Sequence, residues 1–242
     1  PTHSTGERLI VSDMGFLCIG SMYQNVMKRN AIKELYEWKE NNGRKPLVIL
    51  GARQVGKTWL MKEFGKEAYK KCAYVIFEDN DDLRGLFEHD FDIQRIIANL
   101  QWTTGVTIDE DTLIILDEIQ EAPRGITALK YFQEKAPQYH VIAAGSLLGI
   151  AMHKNDSFPV GKVDFMHLYP LSFYEFLNAI GEKKMVDLLQ AKDWTMLTMV
   201  RAKFEERLRQ YYFVGGMPAA VLAFVNDGDL NKVRTIQKSI IE

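Results

Sequence analysis

The segment at residues 51–58 reads GARQVGKT, a glycine followed by four residues and then Gly-Lys-Thr. Glycines let the backbone curl so that successive N–H groups point at one anion. The lysine supplies a full positive charge, and the threonine offers its hydroxyl to Mg²⁺. The spacing therefore predicts a loop that binds the β- and γ-phosphates of a nucleotide. The residues predicted to bind it are Gly51, Ala52, Arg53, Gln54, Val55, Gly56, Lys57, Thr58 and Trp59.

A pair of carboxylates follows a second apolar run. Residues 112–116 read TLIIL, and Asp117 and Glu118 come directly after them. If this run is a strand parallel to the one before the glycine loop, both motifs lie at the same edge of the sheet. We then expect Asp117 to reach Mg²⁺ and Glu118 to orient and deprotonate a water molecule. Acidic residues are also common in the first turn of a helix, so the glycine loop is what favours a site here.

Two further polar residues near these motifs leave alternatives open. Gln120 either contacts the water or the γ-phosphate, or is an ordinary surface residue. Ser146 follows the apolar run at residues 140–144, where it either senses the γ-phosphate or caps a helix, for which serine is a preferred residue. The predicted catalytic residues are Glu118 and Lys57, with Ser146 added only because of the family resemblance given below, and the predicted metal ligands are Thr58 and Asp117.

Short apolar runs alternate with helical patterns through the first two thirds of the chain. Near-continuous apolar runs of this kind are typical of parallel strands that are buried on both faces. Helical spacing follows the glycine loop, and we expect that helix to end at Gly65; another is expected to end near Gly105. The predicted strands are residues 47–50, 73–77, 113–116, 140–144 and 163–168.

The pattern after Pro170 is helical. Ser172 and Glu175 have the spacing of a capping box at a helix start. Apolar residues between Leu197 and Tyr211 recur every three or four positions, which predicts one helix face ending at residues 215–216. No stop signal follows in the last helical pattern, so we expect a longer protein.

Composition indicates a globular chain. The 242 residues are 47% hydrophobic and 26% charged, which excludes a disordered or collagen-like protein. The net charge of −2 offers no bulk attraction to nucleic acid or to an anionic membrane. The longest apolar stretches, 14–23 and 141–152, are too short to span a bilayer, so we expect a cytoplasmic protein. The two cysteines and five histidines show no zinc-ligand spacing.

On these motifs the chain resembles the AAA+-type P-loop ATPases. It is most similar to a bacterial and archaeal family that has an N-terminal AAA domain and a C-terminal domain of unknown function. The resemblance implies ATP and Mg²⁺ as cofactors, an α/β fold with a five-stranded parallel sheet in the order 5-1-4-3-2, and a helical lid. The implied division is an ATPase core at 22–170, a lid at 171–214 and the start of the C-terminal domain at 215–242. Residues 1–21 lack clear periodicity and are either a poorly ordered leader or residues that precede the native start. The segments that carry the resemblance are 51–58, 112–123, 144–149, 159–177 and 211–221.

The chain departs from the family pattern at three places. Ala52 stands where proline is frequent, and Lys162 stands where many members have arginine. Residues 146–165 contain no arginine, although ring-forming AAA+ enzymes usually supply an arginine finger from this region. A conventional ring is therefore disfavoured. The remaining candidate cations, each with a surface ion pair as the simpler interpretation, are Arg53, Arg124, Arg201, Arg207 and Arg209.

Three functions are compatible with these residues. The first is hydrolysis of Mg-ATP to ADP and phosphate, with the nucleotide state switching or moving the attached C-terminal domain. The second is a nucleotide-gated interaction module without hydrolysis, for which nucleic acid is a possible partner that the charge does not support. The third is a small-molecule kinase, which the adjacent carboxylates disfavour because they suit the activation of water. Residues 23–29 are the candidate adenine pocket.

Overall fold

The computed structural model describes residues 28–78, 81–146 and 161–241. The predicted leader, most of the candidate adenine pocket and residues 147–160 lie outside these ranges. The described chain forms two compact units, one of residues 30–169 and one of residues 28–29 with 170–241. The assignment of 171–214 as a lid and of 215–242 as the start of a further domain stays a prediction.

The first unit is built on a five-stranded parallel sheet. Its strand order is β2-β3-β4-β1-β5, which is the predicted order 5-1-4-3-2 seen from the other edge, so the predicted fold is confirmed. Every residue of β1 and β3 is buried, as expected for strands that are covered on both faces. Predicted strand ends differ from the observed ones by at most two residues. The strands are β1 (Leu47–Leu50), β2 (Lys71–Ile76), β3 (Thr112–Asp117), β4 (His140–Gly145) and β5 (Asp164–His167).

Helices lie between β1 and β2, between β2 and β3 and between β3 and β4. The helix at Ile93–Thr104 begins after Asp92, whose carboxylate accepts the backbone N–H of Gln94. It ends, as predicted, at Gly105, which has the left-handed conformation. Short 3₁₀ turns occupy Gly85–Phe87 and Ile119–Glu121. The helices are α1 (Ile32–Glu40), α2 (Lys57–Ala68), α3 (Asp81–Arg84), α4 (Ile93–Thr104) and α5 (Gly125–Lys135).

The predicted end of α2 at Gly65 is wrong, because the helix continues to Ala68. Gly65 is fully packed against the sheet. A Cβ atom at this position would lie 2.9 Å from Sγ of Cys72 and 3.4 Å from Cδ2 of Leu113. The glycine therefore lets α2 approach β2 and β3 closely, and it does not stop the helix.

A large apolar cluster fixes the two strands that precede the predicted motifs. Val48 and Leu50 of β1 and Ile114 and Leu116 of β3 belong to it. Side chains from α4 and α5 and from the segments between strands complete the cluster. Because these strands are packed along their whole length, the loops that follow them have fixed starting points. The aromatic members of the cluster are Phe77, Phe87, Phe91 and Phe132.

The second unit is helical. The first of its helices has the predicted capping box: the hydroxyl of Ser172 accepts the N–H of Glu175, whose carboxylate accepts the N–H of Ser172. An apolar cluster that includes Leu171, Phe176 and Val221 holds several of the helices together. The helices are α6 (Phe173–Ala179), α7 (Lys183–Ala191), α8 (Trp194–Met199), α9 (Arg201–Val214), α10 (Pro218–Asp227) and α11 (Leu230–Ile241).

The prediction of one continuous helix face from Leu197 to Tyr211 is wrong. Val200, at φ −105° and ψ 17°, lies outside the helical region and separates α8 from α9. A β-branched residue loses side-chain freedom in a helix, which makes this position a favourable place for the break. The predicted end at Gly215 is confirmed, with φ 73° at that residue. Throughout the described residues, no helix combines the length and apolar character needed to cross a membrane.

Candidate functional site

The glycine loop and the carboxylate pair meet at the carboxyl edge of the sheet. The loop leaves β1 and enters α2, and Asp117 is the last residue of β3. The hydroxyl of Thr58 donates to Oδ2 of Asp117 at 2.6 Å. The structure thus joins the two predicted metal ligands directly, across 59 positions of sequence.

The backbone of the loop is curled by unusual conformations. Gln54 has φ 63° and Gly56 has φ 93°, both in the left-handed region. A Cβ atom on Gly51 would lie 2.4 Å from the carbonyl oxygen of Leu168, so this position has no room for a side chain. Val55 is fully buried and anchors the loop, while residues 52–54 are exposed. Residues 52–54 of the loop are therefore accessible to solvent, and the buried side chain of Val55 holds the loop in place.

Lys57 lies within the curl of the loop. Its side chain is buried, and Nζ donates to the carbonyl oxygens of Gly51 at 3.0 Å and Ala52 at 2.9 Å. Burial lowers the pKa of Lys57, and the charges of Glu118 and Asp117 act in the opposite direction. Because an ammonium group has three N–H donors, one remains for an anion at the mouth of the loop.

The start of α2 is open to an anion. Gly56 precedes the helix, and within the described residues no side chain caps it and no acidic residue lies in its first turn. The first N–H groups of a helix have no partner inside the helix, and they carry partial positive charge. Lys57, Thr58 and Trp59 supply the first of these groups. Such a terminus is suited to phosphate.

Asp117 is held by three hydrogen bonds. Oδ2 accepts from Thr58 and also from the phenol of Tyr74 at 3.1 Å. Oδ1 accepts the backbone N–H of Glu118 at 3.1 Å. Burial, followed by the charge of Asp117 and their hydrogen bond, raises the pKa of Tyr74, so the phenol remains a donor. The carboxylate is therefore fixed in one orientation, although it is almost completely buried.

Glu118 directly follows β3 in a left-handed conformation, with φ 50° and ψ 47°. This conformation is uncommon for a residue with a side chain, and it turns the chain sharply at the end of the strand. Nε2 of Gln120 donates to Oε2 of Glu118. The role of Gln120, which the sequence left open, thus includes a direct contact with the second carboxylate.

Ser146 lies one residue beyond β4, the strand that separates β1 from β3. It is partly buried at the same edge of the sheet as the loop and the carboxylates. Its assignment as a sensor of the γ-phosphate stays a prediction.

Most of the other candidate cations make structural contacts. Arg124 donates to the carbonyl oxygen of Glu88 at 2.7 Å and stacks over the ring of Phe91. Arg53 and Arg209 are exposed. Among the remainder, Lys162 pairs with Glu134, Arg201 with Glu205, and Arg207 with Glu182 and Glu206.

The donor atoms at this edge fit Mg²⁺. Thr58 and Asp117 offer hard oxygen ligands, and the proton of Thr58 is directed to Asp117, which leaves hydroxyl lone pairs for a metal. In the part of the chain that the structure describes, no group of three or more His, Cys, Asp or Glu residues could hold a metal by itself. Mg²⁺ is typically bound by one or two carboxylates together with the phosphates of the nucleotide, so it needs no such cage.

Sequence reasoning missed two residues of the site, Tyr74 and Lys62. The phenol of Tyr74 contacts Asp117, and Nζ of Lys62 lies 3.7 Å from the centre of the Tyr74 ring. The predicted strand order could have pointed to Tyr74, because it makes β2 the neighbour of β3, the strand that carries Asp117. In the structure Ile76 of β2 pairs with Asp117. Tyr74 lies two residues earlier on β2.

A parallel sheet in this order, with a phosphate-type loop after β1 and an acidic pair after β3, defines the AAA+ class of P-loop ATPases. Residues 43–177, more than half of the chain, match the family model described as an AAA domain. The chain belongs to this family, and the predicted AAA+ membership is confirmed. The predicted C-terminal domain remains a prediction.

Two solved structures show distant similarity to the chain. C. elegans PCH-2 is 13% identical with a TM-score of 0.45, and the match covers 95% of this chain and 68% of that one. The Aeropyrum pernix ORC1 protein, solved in complex with DNA, is 11% identical with a TM-score of 0.40. That match covers 67% of this chain and 53% of ORC1. No curated protein sequence matches the chain significantly.

Proposed function

We propose that this protein binds Mg-ATP at the carboxyl edge of its sheet and hydrolyses it to ADP and phosphate. The observation that carries the proposal is the hydrogen bond of 2.6 Å between Thr58 and Asp117. It brings the hydroxyl of a phosphate-type loop and the carboxylate of a neighbouring motif to one place. Binding of a metal–nucleotide complex requires this combination.

The triphosphate is proposed to bind over the start of α2. Backbone N–H groups of residues 51–59 and the remaining N–H of the Lys57 ammonium would contact the β- and γ-phosphate oxygens. Thr58 and Asp117 would hold Mg²⁺, which supplies positive charge to the phosphate oxygens when it is bound. Positioning and neutralisation of charge by these groups would do most of the catalytic work.

Glu118 is the proposed base. Its carboxylate would accept a proton from a water molecule as the water oxygen bonds to the γ-phosphorus and the bond to the bridging oxygen breaks. ADP then leaves with the electrons of that bond. The contact from Gln120 supports this role because it keeps the Glu118 carboxylate in a defined position at the end of β3. Ser146 is the proposed sensor of the γ-phosphate.

We further propose that loss of the γ-phosphate is transmitted to the chain beyond residue 170. Binding and release of a phosphate group can order or release the segments that contact it. The partners in this proposal are ATP and ADP and the protein's own C-terminal domain. Its support is the family membership and the location of the site on loops that follow buried strands.

Release of phosphate from Mg-ATP without any added acceptor tests the hydrolysis. We expect turnover by the wild-type protein, and we expect Glu118→Gln to lower kcat by about 10²–10⁴-fold. ATP affinity of this variant should stay near that of the wild type, because Glu118 is not assigned to the phosphates. Glu121→Gln is the matched control, since it makes the same change three residues further on and should leave kcat unaltered.

Two outcomes would favour the other functions. Tight binding of ATP without release of phosphate would indicate a nucleotide-gated interaction module. Loss of ATP only after a sugar or nucleoside is added would indicate a kinase. Equal turnover of Glu118→Gln and the wild type would show that the base is assigned wrongly.

A further inference from the structure

Tyr74 is connected to the proposed metal site although it lies outside both motifs. Its phenol donates to Oδ2 of Asp117 at 3.1 Å. The same oxygen accepts the hydroxyl of Thr58 at 2.6 Å. Asp117 is therefore tied to the phosphate loop on one side and to β2 on the other.

The register of the sheet explains how Tyr74 reaches this carboxylate. β2 and β3 are parallel, with Tyr74 opposite Ile115 and Ile76 opposite Asp117. The offset between Tyr74 and Asp117 is two residues along the strand, or about 6.6 Å at about 3.3 Å per residue. A long side chain at position 74 can span this distance, whereas a serine or threonine there could not.

The ring of Tyr74 is itself held by a second contact. Nζ of Lys62 lies 3.7 Å from the centre of the ring, which is the geometry of a cation–π interaction. Lys62 is on α2, the helix that begins with Lys57 and Thr58. The same helix therefore supplies the phosphate-binding residues and the cation that fixes the tyrosine.

We propose that Tyr74 is a positioning residue for Asp117, and that Lys62 fixes the ring of Tyr74. The phenol holds the carboxylate in one orientation, in which its one remaining lone-pair site, on Oδ1, would be available to Mg²⁺ bound with the nucleotide. This inference rests on the proposed function. Residues that hydrogen-bond to a metal ligand set its orientation, and their loss typically lowers metal affinity by about 10- to 100-fold.

Tyr74→Phe tests the proposal because it removes the phenol oxygen and keeps the ring under Lys62. The measurement is calorimetric binding of ADP, first without metal and then over a titration of Mg²⁺. We expect the Mg²⁺ concentration that gives half of the full change in ADP affinity to rise by about 10- to 100-fold. The affinity for ADP without metal should stay within about twofold of the wild type.

Tyr36→Phe is the matched control. The phenol of Tyr36 also donates to a carboxylate, that of Glu67 at 3.3 Å, and neither residue belongs to the site. This variant should keep the Mg²⁺ dependence of the wild type. An unchanged Mg²⁺ dependence in Tyr74→Phe would overturn the proposal. An equal loss of metal-free and metal-dependent affinity would also overturn it, because that result indicates a structural role alone.

Lys62→Met provides a second test that leaves the hydrogen bond to Asp117 in place. We expect a smaller rise, of about two- to fivefold, in the Mg²⁺ concentration that gives half of the full change in ADP affinity. No shift would overturn the part assigned to Lys62. Failure of the proposed function would differ from these outcomes, because the wild-type protein itself would then show no effect of Mg²⁺ on nucleotide binding.

Discussion

The parallel strands of the sheet begin at one side, the amino edge, and end at the other, the carboxyl edge. Both sides carry polar and charged residues, but these residues have different roles. At the amino edge the polar groups bind one another: Tyr69 contacts His140 at 2.5 Å, and Lys71 pairs with Asp109. At the carboxyl edge, one N–H of the Lys57 ammonium and the first N–H groups of α2 remain available to a ligand. These groups at the amino edge are thus paired with one another, whereas the carboxyl edge keeps donors for the proposed ligand.

The direction of the helices accounts for this difference. α2 begins at the carboxyl edge, next to the end of β1, and ends at the amino edge, where β2 begins. Its N-terminus therefore brings partial positive charge to one edge, and its C-terminus brings carbonyl oxygens to the other. Nζ of Lys39 donates to the carbonyl oxygen of Ala68, the last residue of α2, at 2.6 Å. A lysine at the amino edge thus completes the helix, whereas Lys57 at the other end serves the loop.

Removal of one lysine from each edge gives the sharpest contrast. Lys57→Ala removes the proposed charge-assisted hydrogen bond to phosphate, so we expect ATP affinity to fall by about 10- to 100-fold. Lys39→Ala removes a contact to a helix end, so we expect a loss of about 1 kcal/mol in the free energy of unfolding and ATP affinity within about twofold. Calorimetry with Mg-ATP and urea unfolding measure the two quantities. Equal effects of both variants on ATP affinity would contradict the difference between the edges.

Gly51→Ala tests whether the shape of the loop depends on close packing. The new Cβ atom would lie 2.4 Å from a backbone oxygen, that of Leu168, which cannot move without disturbing the segment after β5. We expect a loss of about 1–3 kcal/mol in the free energy of unfolding. The control is Gly85→Ala, where a Cβ atom meets nothing within 4 Å, and it should change stability by less than about 0.5 kcal/mol. Similar unfolding midpoints for the two variants would show that the loop tolerates the added carbon.

The sequence was sufficient for features that are local. The phosphate loop and Asp117 each follow a short apolar run, so pattern and position together predicted both motifs and their common edge. The capping box of Ser172 and the helix end at Gly105 are likewise encoded within a few adjacent residues. The strand order came from the family resemblance, since periodicity alone does not order parallel strands.

Features that depend on packing between distant segments could not be predicted. Gly65 has the sequence signal of a helix end, but its close contact with Cys72 overrides that signal. The break at Val200 interrupts an apolar repeat that continues through it. The contact of Tyr74 with Asp117 requires the register of β2 against β3, which no short segment contains. Tertiary contacts decide the cases of Gly65 and Tyr74, and local propensity is only a weak guide to them.

The smallest of the predicted effects is a dependence of stability on pH, which comes from His140 at the amino edge. Burial, aided by the charges of Arg44 and Lys39, lowers the pKa of His140 to about 4. An unfolded chain has the ordinary histidine pKa of about 6.5, so it binds more protons than the folded protein between these values. Stability therefore falls as the pH is lowered from about 6.5 to 4. Nδ1 of His140 shares a hydrogen bond with the phenol of Tyr69, and in the protonated imidazole Nδ1 can act only as a donor.

His140→Gln isolates this contribution, because carboxylates titrate alike in the variant and the wild type. We expect the loss of unfolding free energy between pH 6.5 and 4 to be smaller in His140→Gln, and ATP affinity at pH 7 to be unchanged. His167→Gln is the control at the carboxyl edge, since His167 is the exposed last residue of β5 and should keep the pH profile of the wild type. An NMR titration that finds the pKa of His140 near 6.5, or parallel pH profiles for all three proteins, would show that the amino edge does not hold this histidine neutral.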